Sequence, residues 1–247
     1  MLRPTVKRPR LESGVMPADP SSVGHSKIEE RPSRESLSGA LAEVLSALAY
    51  GERCGARRAL ESVELAPDAR SRTEQGNVAS RERQNCELIE ARLRELGDER
   101  LMDRFRPFFD AFFEHTRPMD WIEAQTFHYV GDALVSDFAD ELVPLLDPVT
   151  SEVVRRALGD REAQETFALD ELSRAMEDDP SARLRIRRYA QRVIGEAFTQ
   201  TGRALEVAEG LRILLGGAEA GKRFVLSLLD RHRQRLDRLG VEQVEPE

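Results

Sequence analysis

Apolar residues recur roughly every three to four positions along most of this chain, which is the spacing of one face of an α-helix. No window alternates apolar and polar residues for long enough to indicate a strand. The pattern predicts six helices, at residues 36–65, 68–97, 120–143, 147–177, 179–215 and 218–239. Residues 98–117 form a crossover between the second and third helices, with short helical pieces interrupted at Pro107. We therefore predict an all-α protein.

Turn and capping residues mark the ends of these helices. The first helix stops before Pro67, and the second ends at Gly97. Asp147-Pro148 and Asp179-Pro180 each place an N-cap before a proline at the first helical position. The first four helices then form two antiparallel hairpins joined by a long crossover, which is a four-helix bundle with two additional C-terminal helices.

The remaining segments set the domain limits. Residues 1–34 are rich in Pro, Ser, Arg and Glu and have no apolar period, so we predict a disordered N-terminal tail. Residues 35–240 are predicted to form a single helical domain, with a bundle core at 36–178 and the additional helices at 179–239. Residues 241–247 form a short tail.

Acidic residues occupy mirrored positions in the two predicted hairpins. Residues equidistant from the turn of an antiparallel hairpin face each other, and a separation of fifteen residues puts them about 22 Å down the helices at 1.5 Å per residue. The pairs that lie fifteen residues either side of a turn are Glu52 and Glu82 about Pro67, and Asp132 and Glu162 about Asp147. Both pairs are therefore predicted to lie at a similar depth in the bundle.

These acids interrupt the apolar stripes that predict the core face of each helix. Burying a carboxylate costs several kcal/mol unless a cation or a full set of hydrogen bonds compensates. No Arg or Lys lies on the four stripes at that level, so a bound metal is the simplest compensation. Oxygen ligands favour manganese, magnesium or ferrous iron. The candidate metal-binding residues are Glu52, Glu82, Asp132, Glu162 and Glu165, with Asn85 and His128 beside them.

Two alternatives stay open at these positions. The acids could cluster by coincidence and be neutralised by arginines that turn inward from neighbouring faces, such as Arg53, Arg81 or Arg161. His128, one turn before Asp132, could be a ligand, a partner that orients the carboxylate, or a hydrogen-bonded core residue. The last is the commonest role of a lone histidine on a core face.

Composition narrows the class of protein. A net charge of −8 argues against a general nucleic-acid-binding surface. The two cysteines, Cys54 and Cys86, lie within helical pattern and are predicted to be small core residues, as in a reducing cytosol. There is no run of about 18 apolar residues, so we expect a cytoplasmic protein with no membrane partner. A homo-oligomer is compatible with this composition.

Four segments resemble the ferritin-like superfamily, and within it the MiaE-like branch named after a tRNA hydroxylase: residues 47–53, 79–97, 120–138 and 160–172. In catalytic members of this fold, two helices each provide one carboxylate and two provide Glu-x-x-His. By position, Glu52 and Asp132 correspond to the single carboxylates. Glu82 and Glu162 begin the two motifs. Asn85 and Glu165 stand in place of both histidines.

The resemblance implies a di-metal site holding iron or manganese. It also implies an oxidase or hydroxylase activity, with a modified tRNA nucleoside as the substrate. The alternative is a non-catalytic ferritin-like scaffold or interaction protein whose metal site has decayed. Metal content and the effect of removing Glu52 distinguish these two hypotheses.

Overall fold

The computed structural model describes residues 34–97, 101–159 and 161–241. The predicted tails, apart from Arg34 and Val241, lie outside these ranges. Within them every regular element is helical and no strand occurs, which confirms the all-α prediction.

The described helices are, in chain order, α1 (Arg34–Val63), α2 (Ala69–Leu96), α3 (Met102–His115), α4 (Trp121–Phe127), a π-helical turn (His128–Asp132), α5 (Ala133–Leu142), a short 3-10 turn (Val143–Leu145), α6 (Pro148–Leu158), α7 (Glu162–Asp178), α8 (Ala182–Val207), α9 (Glu209–Leu215) and α10 (Ala218–Arg238).

Two pairs of helical segments form the bundle. Helix α1 packs along α2, and α2 packs against α6. Helix α4 and the π-helical turn pack against α7, and α5 packs against α6. The crossover helix α3 lies against α1 and α8, while α9 packs on α1 and α10 packs on α5 and α9. This is the predicted arrangement of two hairpins, a crossover and additional C-terminal helices.

Side-chain caps start two of the bundle helices where the sequence predicts them. The Asp68 side chain accepts a hydrogen bond from the backbone of Ser71 at the start of α2. The Asp147 side chain accepts from the backbone nitrogens of Val149 and Thr150 at the start of α6. Each bond satisfies a backbone N–H that has no partner inside its helix.

The fourth predicted helix, 147–177, is not continuous. Helix α6 ends at Leu158 and α7 begins at Glu162, and Arg161 between them has φ −114° and ψ 5°, which is not helical. Gly159 lies at this break. Because glycine loses more conformational entropy on folding than any other residue, it disfavours continuation of the helix. The prediction of one helix here is wrong, and the break changes which side chains face the core.

The predicted fifth helix, 179–215, is also divided, at Ala208 (φ −90°, ψ 85°). The bend allows α9 to lie close against α1. A side chain at Gly210 would come within 2.8 Å of the Ala40 Cα, so only glycine permits this approach.

Apolar side chains from both hairpins fill the interior, with Leu45, Ile89 and Leu142 in one cluster and Phe127 and Leu172 in another. Both cysteines are buried and free, as predicted. None of the described helices is long and apolar enough to cross a membrane.

Candidate functional site

Four charged side chains meet inside the bundle. They come from α1, α2, the π-helical turn and the break between α6 and α7, and each is at most 8% exposed: Glu52, Glu82, Asp132 and Arg161. The three acids are those for which the sequence predicts convergence. The arginine is one of the three that the sequence offers as an alternative to metal.

The Arg161 guanidinium bridges the two glutamates of the first hairpin. Its Nη2 donates to both carboxylate oxygens of Glu52, at 3.1 and 3.0 Å, and its Nη1 donates to Glu82 Oε1 at 2.9 Å. The mirrored spacing about Pro67 therefore brings this pair to one level, as predicted. Of the other two candidate arginines, Arg53 is exposed and pairs with Glu90, and Arg81 is exposed.

The second mirrored pair does not form. Glu162 is exposed, and the half-buried Glu165 accepts a hydrogen bond from Arg238 at 2.8 Å. The prediction that these two acids face the bundle core is wrong because the break before α7 rotates the helix. Gln164 faces the core instead, and its Nε2 donates to Asp132 Oδ2 at 2.7 Å.

The remaining candidate, Asn85, lies three residues after Glu82 and is half-buried. Among the described residues, no hydrogen bond joins it to the charged cluster.

His128 connects Asp132 to an inner layer of polar residues. Its Nδ1 lies 2.7 Å from Asp132 Oδ2, and its Nε2 lies 3.0 Å from Gln75 Nε2 and 3.1 Å from Ser62 Oγ. Gln75 also accepts a hydrogen bond from Gln125 at 2.9 Å. Each of these residues is at most 8% exposed.

The partners of His128 define its role. A carboxylate only accepts hydrogen bonds, so Nδ1 donates to Asp132. The Ser62 hydroxyl donates to the Arg58 carbonyl at 2.9 Å, so the Gln75 amide is the donor to Nε2. A neutral imidazole meets both requirements. His128 therefore orients the Asp132 carboxylate as a hydrogen-bonded core residue.

Residues 36–218 match the family described as Ferritin-like domain, actinomycetes. The matched range is most of the chain and contains all of the charged cluster. This chain belongs to that ferritin-like family. No curated protein matches it. The ferritin-like fold is thus confirmed, and the assignment to the MiaE-like branch stays a prediction.

Burial and like charge act together on Glu52 in this ferritin-like bundle. Loss of water and the nearby Glu82 and Asp132 raise the pKa of the Glu52 carboxyl to about 8, although Arg161 opposes the rise. Burial alone would lower the pKa of the Arg161 guanidinium, but the three carboxylates outweigh burial and raise it. Arg161 is therefore a permanent cation inside this acidic cluster.

The geometry of the charged cluster can be compared with the geometry that a bound metal ion requires. A divalent ion contacts carboxylate oxygens at about 2.0–2.2 Å, in the space where the guanidinium nitrogens lie. Within the described ranges, no three His, Cys, Asp or Glu side chains are grouped so that they could hold one ion. The arrangement with Arg161 inside the cluster does not fit a di-metal centre.

Sequence reasoning missed the amides that complete the site. Gln75 and Gln164 are fully or almost fully buried and bond to His128 and Asp132 respectively. An amide in an otherwise apolar stripe is the available signal, and Gln125 shows it in the third predicted helix. The inward position of Gln164 depends on the helix break, so the pattern of apolar residues does not indicate it.

Proposed function

We propose that this ferritin-like protein works without a metal centre and acts as a binding or interaction protein rather than as an oxygen-activating enzyme. In this proposal Arg161 supplies the positive charge that metal ions supply in catalytic members of the fold. The observation that carries the proposal is the contact of one buried guanidinium with both Glu52 and Glu82.

The hydrogen bonding of the cluster supports this function. The cationic Arg161 is hydrogen-bonded to both Glu52 and Glu82 and offsets their negative charge, and Asp132 accepts hydrogen bonds from both His128 and Gln164. Buried charges are tolerated when they are paired and hydrogen-bonded. Side chains of this chain therefore supply a cation and hydrogen-bond donors to the buried acids, while Arg161 Nε has no hydrogen-bond partner among the described residues.

The decisive variant is Arg161→Ala, which leaves the buried acids without their cation. Loss of one partner of a buried ion pair destabilises a protein by roughly 3–5 kcal/mol. We expect urea unfolding to show a loss of this order, and we expect Mn²⁺ to restore part of the stability, because the vacated space offers oxygen ligands. The matched control is Arg53→Ala, an exposed arginine, for which the expected loss is below about 1 kcal/mol.

Metal binding by the wild-type protein would contradict this proposal. If it retains stoichiometric iron or manganese when purified without chelator, or if Mn²⁺ raises its melting temperature as much as that of Arg161→Ala, the proposal is wrong.

One observation favours a second candidate, a metal-dependent oxidase or hydroxylase. Glu52, Glu82 and Asp132 converge from three separate elements at one level, as the ligands of a metal centre would. Metal binding would require Arg161 to leave the cluster. About two metal ions per chain after anaerobic loading with ferrous iron or manganese would support this candidate. Oxygen consumption in the presence of tRNA would then test the substrate.

A further inference from the structure

A pocket of about 170 Å³ lies beside the charged cluster, between α1, α3, α5 and α8. It is partly open to solvent, and aromatic rings form much of its wall: Phe105, Phe108, Phe109, Phe112 and Phe138. Gly51 and Gly131 also border it, and they immediately precede Glu52 and Asp132 in the chain. Neither of these acids lines it.

Small residues on the helices keep the pocket open. Ala47 and Gly51 on α1 and Ala204 on α8 all line it. A side chain at Gly51 would approach Phe109 Cε1 to 2.9 Å and would push that ring from its place. Larger residues at these positions would fill the space.

The polar groups of the lining restrict the charge of a ligand. Glu43 is the one charged residue among the described residues that line the pocket. Its carboxylate already accepts hydrogen bonds from Arg104 at 3.2 Å and from the Gly210 backbone at 2.9 Å. With no lysine or arginine in this described lining, nothing would balance an anion, and Glu43 has no free charge to offer a cation.

One edge of the pocket can accept a hydrogen bond. Gln200 lines this edge and is 5% exposed. Its Nε2 donates to Glu196 at 2.7 Å, and within the described part of the chain no donor contacts its carbonyl oxygen. The neighbouring Thr201 adds a hydroxyl to the same edge.

We propose that this pocket binds a small, uncharged aromatic molecule of about one ring that carries a hydroxyl group. An apolar cavity of about 150 Å³ is large enough to bind benzene. The phenylalanine rings offer the edge-to-face contacts that aromatic ligands prefer. The Gln200 carbonyl oxygen accepts a hydrogen bond from the ligand's hydroxyl group. This inference goes beyond the metal-independent role proposed above and does not depend on the charge of the cluster.

The probe for this site is 4-fluorobenzyl alcohol, titrated with the full-length protein and followed by ¹⁹F NMR. We expect saturable binding that weakens at least tenfold in Ala204→Leu, because the added side chain occupies the pocket. The matched control is Gln191→Leu, which adds the same residue at an exposed position of α8 and should bind like the wild type. Ala47→Leu fills the pocket from α1 and serves as an independent test if the first variant does not fold.

Two further probes test the chemical class. We expect 4-fluorobenzoate at pH 7 and 1-hexanol each to bind at least tenfold more weakly than 4-fluorobenzyl alcohol. If 4-fluorobenzoate binds as tightly as 4-fluorobenzyl alcohol, the proposal that the ligand is uncharged is wrong. If 1-hexanol binds as tightly, the proposal that the ligand is aromatic is wrong. Absence of saturable binding by the alcohol, or binding unchanged in both filling variants, would overturn the site itself.

Discussion

At Glu52, burial and two nearby carboxylates disfavour the ionised carboxyl, and Arg161 favours it. This carboxyl is 3% exposed and has a folded-state pKa of about 8, against an ordinary value of 4.5. Between these two values the folded protein holds a proton that the unfolded chain has released. The free energy of unfolding therefore falls as the pH rises from about 4.5 to about 8, with a limiting slope of about 1.4 kcal/mol per pH unit.

Replacing Glu52 with glutamine tests this pH dependence of the free energy of unfolding. The amide keeps the shape of the protonated carboxyl and cannot ionise, so we expect Glu52→Gln to remove this contribution to the pH dependence and to be more stable than the wild type above pH 7. Urea unfolding at pH 5.5, 6.5, 7.5 and 8.5 measures the effect. The exposed Glu162→Gln is the control and should keep the wild-type slope. A Glu52→Gln profile parallel to the wild type would contradict the prediction.

At the scale of single residues, the sequence predicts part of the cluster. Helical periodicity correctly predicts that Glu52, Glu82 and Asp132 face the core, and the mirrored spacing about Pro67 correctly pairs the first two. The spacing about Asp147 wrongly pairs Asp132 with Glu162, and the role of these acids as metal ligands stays a prediction. Periodicity alone cannot identify the compensating cation, because Arg161 does not belong to any regular helix face. It enters the core from a non-helical residue, where the 3.6-residue period does not apply.

At the scale of elements, the interruption between α6 and α7 controls which side chains reach the cluster. It carries Arg161 and Gln164 inward and leaves Glu162 outside. The capping signals at Asp68 and Asp147 correctly predict where α2 and α6 begin, since caps are local chemistry. The signal at Asp179 is wrong, because α8 begins at Ala182 and Asp179 instead follows the end of α7. Nearby residues do not predict the interruption between α6 and α7, because it depends on how α7 packs against α4 and the π-helical turn.

Gly159→Ala should disturb this interruption. A side chain at residue 159 would come within 2.5 Å of the Arg155 carbonyl oxygen, so the chain must shift. We expect a loss of about 1–3 kcal/mol in the free energy of unfolding, as for other overpacked sites. Gly195→Ala is the matched control: residue 195 lies inside α8 with no atom within 4 Å of the added carbon.

The control variant, Gly195→Ala, should change the free energy of unfolding in the opposite direction. Alanine inside a helix is favoured over glycine by roughly 0.5–1 kcal/mol, so Gly195→Ala should stabilise the protein. Chemical denaturation of both variants gives the comparison. A stabilised Gly159→Ala would show that the interruption does not need glycine.

At the scale of the whole molecule, a buried ion pair joins the last helix to the bundle. Arg235 of α10 donates to both oxygens of Asp137 on α5, at 2.6 and 2.7 Å, and Arg231 adds a longer bond at 3.4 Å. Asp137 and Arg235 are at most 8% exposed. The sequence predicts α10 as an additional helix but does not indicate this contact, which joins residues almost a hundred positions apart.

Asp137→Asn should loosen the attachment of α10, because it leaves a buried guanidinium without its anion. The remaining carboxylate beside Arg235, Glu165, is 3.9 Å from Nε and accepts no hydrogen bond from it. We expect a loss of roughly 3–5 kcal/mol and faster amide hydrogen exchange in α10 than in α1 or α2. Asp140→Asn is the control, since Asp140 is exposed and pairs with Arg231 alone at 3.2 Å. Uniform exchange throughout the variant would mean that α10 does not open as a separate unit.

Under the metal-independent role proposed above, the position of Arg161 has a consequence for folding in a cell. A cation carried on the chain is present at a fixed effective concentration from the moment of synthesis, whereas a bound ion must be acquired and can be lost by dilution or to a competing chelator. Every copy of the protein thus brings its own counter-charge. In the metal-independent role proposed above, the folded fraction of the protein should not change with the iron or manganese status of the cell.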